Sequence, residues 1–204
     1  MTIKKTNNLE SRAQFSLFVT SYLPLFILII FKQFYINFSD LVWGGFTFNS
    51  INNFIEKFGL SAILIVIGAY GYWGAQLTFS NIDKASNNGF PSVVTNIKNK
   101  NSEAISYIAT YIIPFAFQKF DSWFELISVL FIIIIIYRIY INSSLLLINP
   151  VMNLKYAIFD FEFEENGKIK NGMIITKNKY LQEDDSVKLY QIGNKMYYSK
   201  NIAK

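Results

Sequence analysis

Four apolar runs separated by polar, lysine-bearing connections occupy residues 15–148, and after Asn149 the pattern changes to one of alternation. The first run is FSLFVTSYLPLFILIIF, residues 15–31, carried past Lys32 by QFYI, with no charge between Ala13 and Phe31. That length suits a helix crossing roughly 30 Å of hydrocarbon, and Pro24 is expected to kink it. Lys4, Lys5 and Arg12 ahead of it raise a signal-peptide reading, but the apolar core is too long and no small-x-small cleavage site follows. The second run, Phe58 to Ile82, carries no charge at all. Within it Gly68, Gly71 and Ala75 fall on one helical face. Small residues so spaced let another helix approach closely, although glycine is also simply common in membrane helices. The fourth run, LISVLFIIIIIYRIYINSSLLLI, holds one charge, Arg138, flanked by Tyr137 and Tyr140. Two readings stay open for it: an interfacial arginine that snorkels to the headgroups, or a buried pairing or pore role.

The third run is the ambiguous one. NSEAISYIATYIIPFAFQ, residues 101–118, mixes apolar residues with Glu103, Ser106, Tyr107, Thr110, Tyr111 and Pro114. Asn101 suits an N-cap, and Glu103 suits the positive end of the helix that would follow. Glu103, Ser106, Thr110 and Pro114 share a face, with Tyr107 alongside. A face so polar is costly against lipid, so the segment is expected to be a third span packed inside an assembly. The lysines agree with that count. Lys4, Lys5 and Arg12, then Lys84, Lys98 and Lys100, then nine lysines after Asn149, all fall on one side of a four-span chain, while the other connections carry only Lys57 and Lys119. The positive-inside rule then puts both termini in the cytoplasm of a multi-pass protein of the bacterial inner membrane.

After Asn149–Pro150, Phe159, Phe161 and Phe163 alternate with Asp160, Glu162 and Glu164, the signature of a half-buried strand. Asn166–Gly167 predicts a hairpin turn, GMIITK its partner strand, and SVKLYQI–GN–KMYYSK a second hairpin. The predicted fold class is therefore a membrane α-helical protein. It has a cytosolic tail over 1–14, four transmembrane helices within 15–148 (about 15–36, 58–82, 101–120 and 122–148), and a small cytosolic antiparallel β domain over 149–204, SH3-like or a simple meander. The acidic stripe Asp160, Glu162 and Glu164 reads as a solvated strand face or as a docking surface for a basic partner or a cation.

Composition supports the membrane class and narrows the chemistry. Of 204 residues, 52% are hydrophobic and 16% charged, against about 25% charged in soluble domains. There is no cysteine and no histidine, which excludes disulfides, zinc sites built on thiolate or imidazole, and catalysis by a Cys nucleophile or a His base. No motif joins a nucleophile to a base, so no enzyme is expected, and no cofactor or metal. The nine tail lysines are interleaved with seven acids, unlike the clustered basic face of a nucleic-acid module, so no direct contact with nucleic acid is expected.

The layout as a whole carries a resemblance. SYLPLF follows a short basic N-terminus, NKNSEAISYIATYIIPF follows the middle loop, and YRIYINSSLLLINP precedes the β tail. This resembles the four-span membrane accessory proteins of type VI-B CRISPR loci, and is similar to the KwaA family of membrane subunits of the Kiwa anti-phage system. The resemblance implies a membrane regulator or effector of antiviral defence, oligomeric, acting with a cytosolic nuclease or nucleic-acid-sensing partner, with pore formation as one mode of action; the type VI-B branch would make that partner an RNA-guided RNase. The competing expectation is a stand-alone ion channel or transporter subunit lined by Glu103, Ser106, Tyr107 and Thr110.

Overall fold

The computed structural model describes residues 9–41, 44–107, 123–141, 149–165 and 167–201. Helices α1 (Ser11–Ser21) and α2 (Leu23–Ile36) are one apolar run broken at Tyr22, their axes bent by 51°. Pro24 stands in the first turn of α2, where its missing N–H is tolerated. Just before it, the Thr20 hydroxyl donates to the Ser16 carbonyl at 2.6 Å and Ser21 to that of Phe18 at 2.6 Å, a back-bonding that bends helices. Helix α3 (Phe48–Ala85) starts at Thr47, whose hydroxyl accepts from the Ser50 N–H at 3.3 Å. Its 38 residues extend about 57 Å at 1.5 Å per residue. Phe58, Ser61, Gly68, Gly71, Ala75, Phe79 and Ile82 are its buried positions, a stripe at helical spacing turned toward α1 and α2, while Val66, Tyr70, Trp73 and Leu77 are exposed. Helix α5 (Trp123–Ile141) packs Tyr137 and Tyr140 on Phe18 of α1, ring centroids 4.9 and 5.3 Å apart. Between α3 and α5 lies the short α4 (Asn101–Tyr107), and a single turn, α6 (Pro150–Asn153), follows α5. Asn149 caps α6, accepting from the N–H groups of Val151 and Met152, and its own amide donates to the Leu17 carbonyl at 2.9 Å.

The four-span expectation is overturned. Among the described residues one helix, Phe48–Asn88, is long and apolar enough to cross a bilayer alone, and a second is available if the bent pair α1–α2 counts as one span. Of the expected third span, 101–120, the first seven residues form α4 and residues 108–120 lie outside the described residues. Of the expected fourth span, 122–148, helix α5 covers Trp123–Ile141, within which Leu130–Ile141 is a shorter apolar stretch among the described residues, and residues 122 and 142–148 lie outside them. Hydropathy by run also passes over 83–103 as a mere connection. That segment holds a strand, β1 (Phe90–Asn99), and is part of a folded body.

The β domain also departs from the small antiparallel domain, SH3-like or a simple meander, expected from the tail alone. Strands β2 (Ala157–Glu165), β3 (Lys168–Thr176), β4 (Ser186–Gly193) and β5 (Met196–Asn201) lie where the alternation puts them, but the sheet is a closed five-stranded barrel in the order β1-β2-β3-β5-β4. β1 closes it by pairing antiparallel with β2 (Val94 opposite Phe163) and with β4 (Phe90 opposite Leu189). β3 and β5 run parallel, with Ile175 opposite Tyr198. Closure removes the edges that a two-hairpin sheet would expose. At the β2–β3 turn Gly167 has φ +73°, the left-handed region open to glycine; Asn166 lies outside the described residues.

The period of two sorts the barrel into two cores. Inward-facing Phe159, Phe161 and Phe163 pack with Val94, Ile174, Leu189 and Tyr197. Outward-facing Ile158, Ile175 and Tyr198 join a second core with Phe79 and Ile82 of α3, Met152 of α6 and Tyr156. Phe79 stacks on Tyr156 at 4.7 Å. The barrel is thus seated by its own outer wall on the ends of the helices.

Candidate functional site: a charged cleft and the helix–barrel junction

Further along the same outer wall the apolar residues give way to polar ones. β1 and β2 lose register between Thr95 and Lys98, and Asn96 there takes φ +48°, a bulge that opens the wall. Lys195, in the β4–β5 turn, takes φ +55°. Between them lies a cleft of about 340 Å³ lined by Asn96, Lys98, Asp160, Glu162, Asn171 and Lys195, with Phe161, Gly172 and Met173 at its floor. Lys195 donates to Asn171 Oδ1 at 3.0 Å. Gly172 is required beside it, since a Cβ there would come within 2.8 Å of both the Lys195 carbonyl and the Tyr197 ring. At the helical end of the cleft Lys100 Nζ lies 2.5 Å from Glu103 Oε1 and 3.3 Å from Asp160 Oδ2. The hydrogen bond to Glu103, then that to Asp160, raises the Lys100 pKa above its ordinary value. The cleft therefore offers lysines and carboxylates side by side, a pattern suited to a polypeptide carrying both signs. Among the described residues no three Asp or Glu side chains gather as a metal site would need.

A second polar cluster joins α3 to the barrel. Tyr198 OH donates to Asp83 Oδ1 at 2.7 Å and Lys177 Nζ to the same oxygen at 3.3 Å. Lys200 Nζ donates to the Asp83 carbonyl at 2.6 Å and to Asn87 Oδ1 at 3.0 Å, and Lys188 Nζ to the Asn87 carbonyl. Two strand-borne lysines, Lys188 and Lys200, and Lys177 just after β3 thus meet the C-terminal end of α3 and the turn after it, where the helix dipole favours cations. Burial first, then the hydrogen bond to Asp83, pushes the Tyr198 phenol well above the usual tyrosine range.

The residues singled out from sequence are dispersed. Gly68, Gly71 and Ala75 do lie together at the α3 interface: a Cβ on Gly71 would stand 2.3 Å from Val19 Cγ1, and one on Gly68 3.0 Å from Leu23 Cδ2. The Thr20 hydroxyl, besides its bond to Ser16, reaches the Gly71 carbonyl at 3.1 Å. Glu103 is held by Lys100 at the start of α4, and Ser106 is exposed on the same helix, which ends at Tyr107. Thr110 and Pro114 lie outside the described residues. Arg138 is exposed in the last turn of α5. Asp160 and Glu162 line the cleft, while Glu164 is exposed on the hairpin beyond it. Asn101 is no simple N-cap: its Oδ1 accepts from the Ile158 N–H at 2.9 Å, tying α4 to β2. Sequence reasoning missed Asn96, Lys98, Lys195, Asp83 and Tyr198. It also missed the clasp in which Gln33 Oε1 accepts from the backbone N–H of Ser61 at 2.8 Å and from its hydroxyl. The run PSVVT at 91–95, rich in β-branched residues, was the signal for the strand that carries the first two.

No solved structure matches the chain. The Kiwa protein KwaA of Escherichia coli O55:H7 (strain RM12579 / EPEC) is 28% identical over 113 residues, which are 55% of this chain and 54% of that protein. The chain thus spans about half the length of the curated relative it matches. The family described as anti-phage protein KwaA matches residues 13–198. That match takes in the helices, the strand between α3 and α4 and nearly all of the barrel, and on it the chain belongs to the KwaA family of anti-phage proteins.

Proposed function

We propose that this chain is the membrane-anchored component of an anti-phage defence system, its helices lodged in the bacterial inner membrane and its barrel presenting the charged cleft to a cytosolic partner protein. The observation that carries the reading is the state of α3. Only 22% of its most apolar window is buried, with Val66 68% and Trp73 69% exposed. A helix of such composition in a water-soluble protein would be enclosed in a core. The outer stripe of α5, with Ile127, Phe131 and Ile134 exposed, extends the same apolar surface. The cleft supports the docking half of the reading, because Asp160 and Glu162 share it with Lys98 and Lys195 and paired potentials of both signs favour one partner over others. The role is anchoring and recognition rather than catalysis. A nuclease as that partner rests on the resemblance of the layout, and its RNA-guided form on the type VI-B branch alone. The pore reading gains nothing from Glu103, whose carboxylate is engaged by Lys100.

The test joins fractionation to phage challenge. The chain is expected in the alkali-resistant membrane fraction, and cells carrying the whole locus are expected to lose protection when this gene is deleted. They should also lose it, with the membrane fraction intact, on joint replacement of Lys98 and Lys195 by Glu. Recovery of the chain in the soluble fraction, or full protection without it, would overturn the proposal.

A further inference from the structure

Beside the helix–barrel junction the barrel carries a second exposed surface that neither core uses. Lys179 Nζ reaches the Leu154 carbonyl at 3.3 Å, which brings the turn after β3 against the end of α6. Leu154 is 78% exposed and Tyr180 86% exposed. Tyr180 is held in that position. Its N–H donates to Asn178 Oδ1 at 3.0 Å, the N–H of Asn178 donates to Thr176 Oγ1 at 3.1 Å, and the next residue, Leu181, is buried in the barrel core. Beside Leu154 and Tyr180 in the chain are Lys155, whose Nζ lies 5.8 Å over the Tyr156 ring, Lys179, and, three residues before Tyr180, Lys177 on Asp83. The level of this patch along the helices is fixed by Asp83, the first charge after the uncharged stretch Phe58–Ile82 of α3. An exposed tyrosine on a backbone fixed by its loop and an exposed leucine, with lysines beside them at that level, match the boundary where hydrocarbon gives way to headgroups. Nearby acids do not oppose this. Asp83 is bonded by Tyr198, Lys177 and Lys200. Glu183, Asp184 and Asp185 lie at the far end of the same loop, where the Asp184 N–H donates to the Val94 carbonyl at 2.9 Å across the barrel.

We propose that Lys155, Lys177 and Lys179, with Tyr180 and Leu154 as apolar anchors, form a docking surface for anionic phospholipid headgroups of the membrane that holds the helices. This rests on the membrane reading above and goes beyond it, because it ties the barrel as well as the helices to the bilayer. Basic residues close to an anionic surface draw the patch down, and the tyrosine enters the interface.

The chain has no cysteine, so a single fluorescent label can be placed at will. The full chain labelled at Tyr180→Cys is reconstituted into vesicles of phosphatidylcholine alone and into vesicles containing phosphatidylglycerol. The label is expected to shift to the blue and gain protection from an aqueous quencher only where phosphatidylglycerol is present. Inorganic phosphate added to the neutral vesicles should not reproduce the change. The double variant Lys155→Gln/Lys179→Gln should lower the docking equilibrium by roughly 30-fold. A second label at Ile65→Cys, on the exposed face of α3, separates the two readings. If it is shielded in both vesicles while the Tyr180 label behaves alike in both, headgroup docking is wrong and the membrane reading stands. If the Ile65 label stays in water, both are wrong.

Discussion

Replacing Gly71 is the sharpest test of how α1 and α3 are held together. An alanine Cβ there would stand 2.3 Å from Val19 Cγ1 and 2.6 Å from Val19 Cβ, whereas carbon atoms in contact sit about 3.5–4.0 Å apart. Both clashing atoms lie at the root of a stiff β-branched side chain, so α1 itself has to retreat by about 1 Å. That retreat stretches the bond from the Thr20 hydroxyl to the Gly71 carbonyl, already 3.1 Å long. Thr20 keeps its bond to the Ser16 carbonyl, so the hydroxyl is not orphaned and the loss is about 1 kcal/mol. Overpacking adds about 1–3 kcal/mol, and the better helix propensity of alanine returns about 1 kcal/mol. The net expectation for Gly71→Ala is a destabilisation of about 1–3 kcal/mol, and Gly71→Leu should exceed it. The assay is denaturant unfolding of the purified full chain in mild detergent, repeated with the exchange Val19→Gly/Gly71→Ala. The exchange moves the missing side chain from one helix to the other and should recover at least about 1 kcal/mol of coupling energy. If Gly71→Leu unfolds with the wild type, or if Val19→Gly merely adds its own damage, close approach at Gly71 does not hold these helices together.

Three further expectations follow from the packing. A Cβ on Gly74 would lie 2.9 Å from the Cβ of Ser16, so Ser16→Cys/Gly74→Cys should form a disulfide after a shift of about 1 Å toward the usual Cβ separation near 3.8 Å, read as a mobility change on non-reducing gels; failure to oxidise would contradict the α1–α3 register. Because the Tyr198 pKa is raised above its ordinary 10.0, its neutral form is the one the fold favours. Its stabilising share is complete below pH 10 and is lost as pH climbs from there through the folded-state value, so Tyr198→Phe should flatten the alkaline limb of a stability–pH curve. Phe161→Ala should destabilise the barrel by about 3–5 kcal/mol, and exposed Glu164→Ala on the same strand by less than about 0.5 kcal/mol. Near-ultraviolet circular dichroism during unfolding reads both, and equal effects would refute the inward–outward assignment of β2.

What could be read from the sequence is what neighbours along the chain determine. The alternation of Phe159, Phe161 and Phe163 with acids locates β2 and its inner face, because a strand's side chains change sides at every residue. The small residues of α3 reveal a packing face by spacing alone. Other features depend on partners far along the chain. β1 holds Pro91, Asn96 and Asn99 and reads as a connection; only β2 and β4 on either side make it a strand. Asn101 and Glu103 fit a local helix-start pattern, but Ile158 claims the first and Lys100 the second. The acids of the cleft are visible as an outward stripe, while the lysines facing them come from the β1 bulge and the β4–β5 turn. The segment 83–103 passed as a connection for the same reason, since hydropathy scores each run alone and is blind to what the connections build.

The strand supplied from between α3 and α4 also governs the order in which the molecule can be assembled. Phe90–Asn99 leaves the ribosome long before its partners exist, so its backbone has to wait in water until β2 has been made, and its other border stays open until β4 follows. Residues 149–204 cut away and expressed alone would be a gapped sheet with two raw borders, open to β1 of an intact neighbour or to another copy of themselves. Topologically the chain is stitched shut only when β4 arrives, so its helices and its barrel mature as one object.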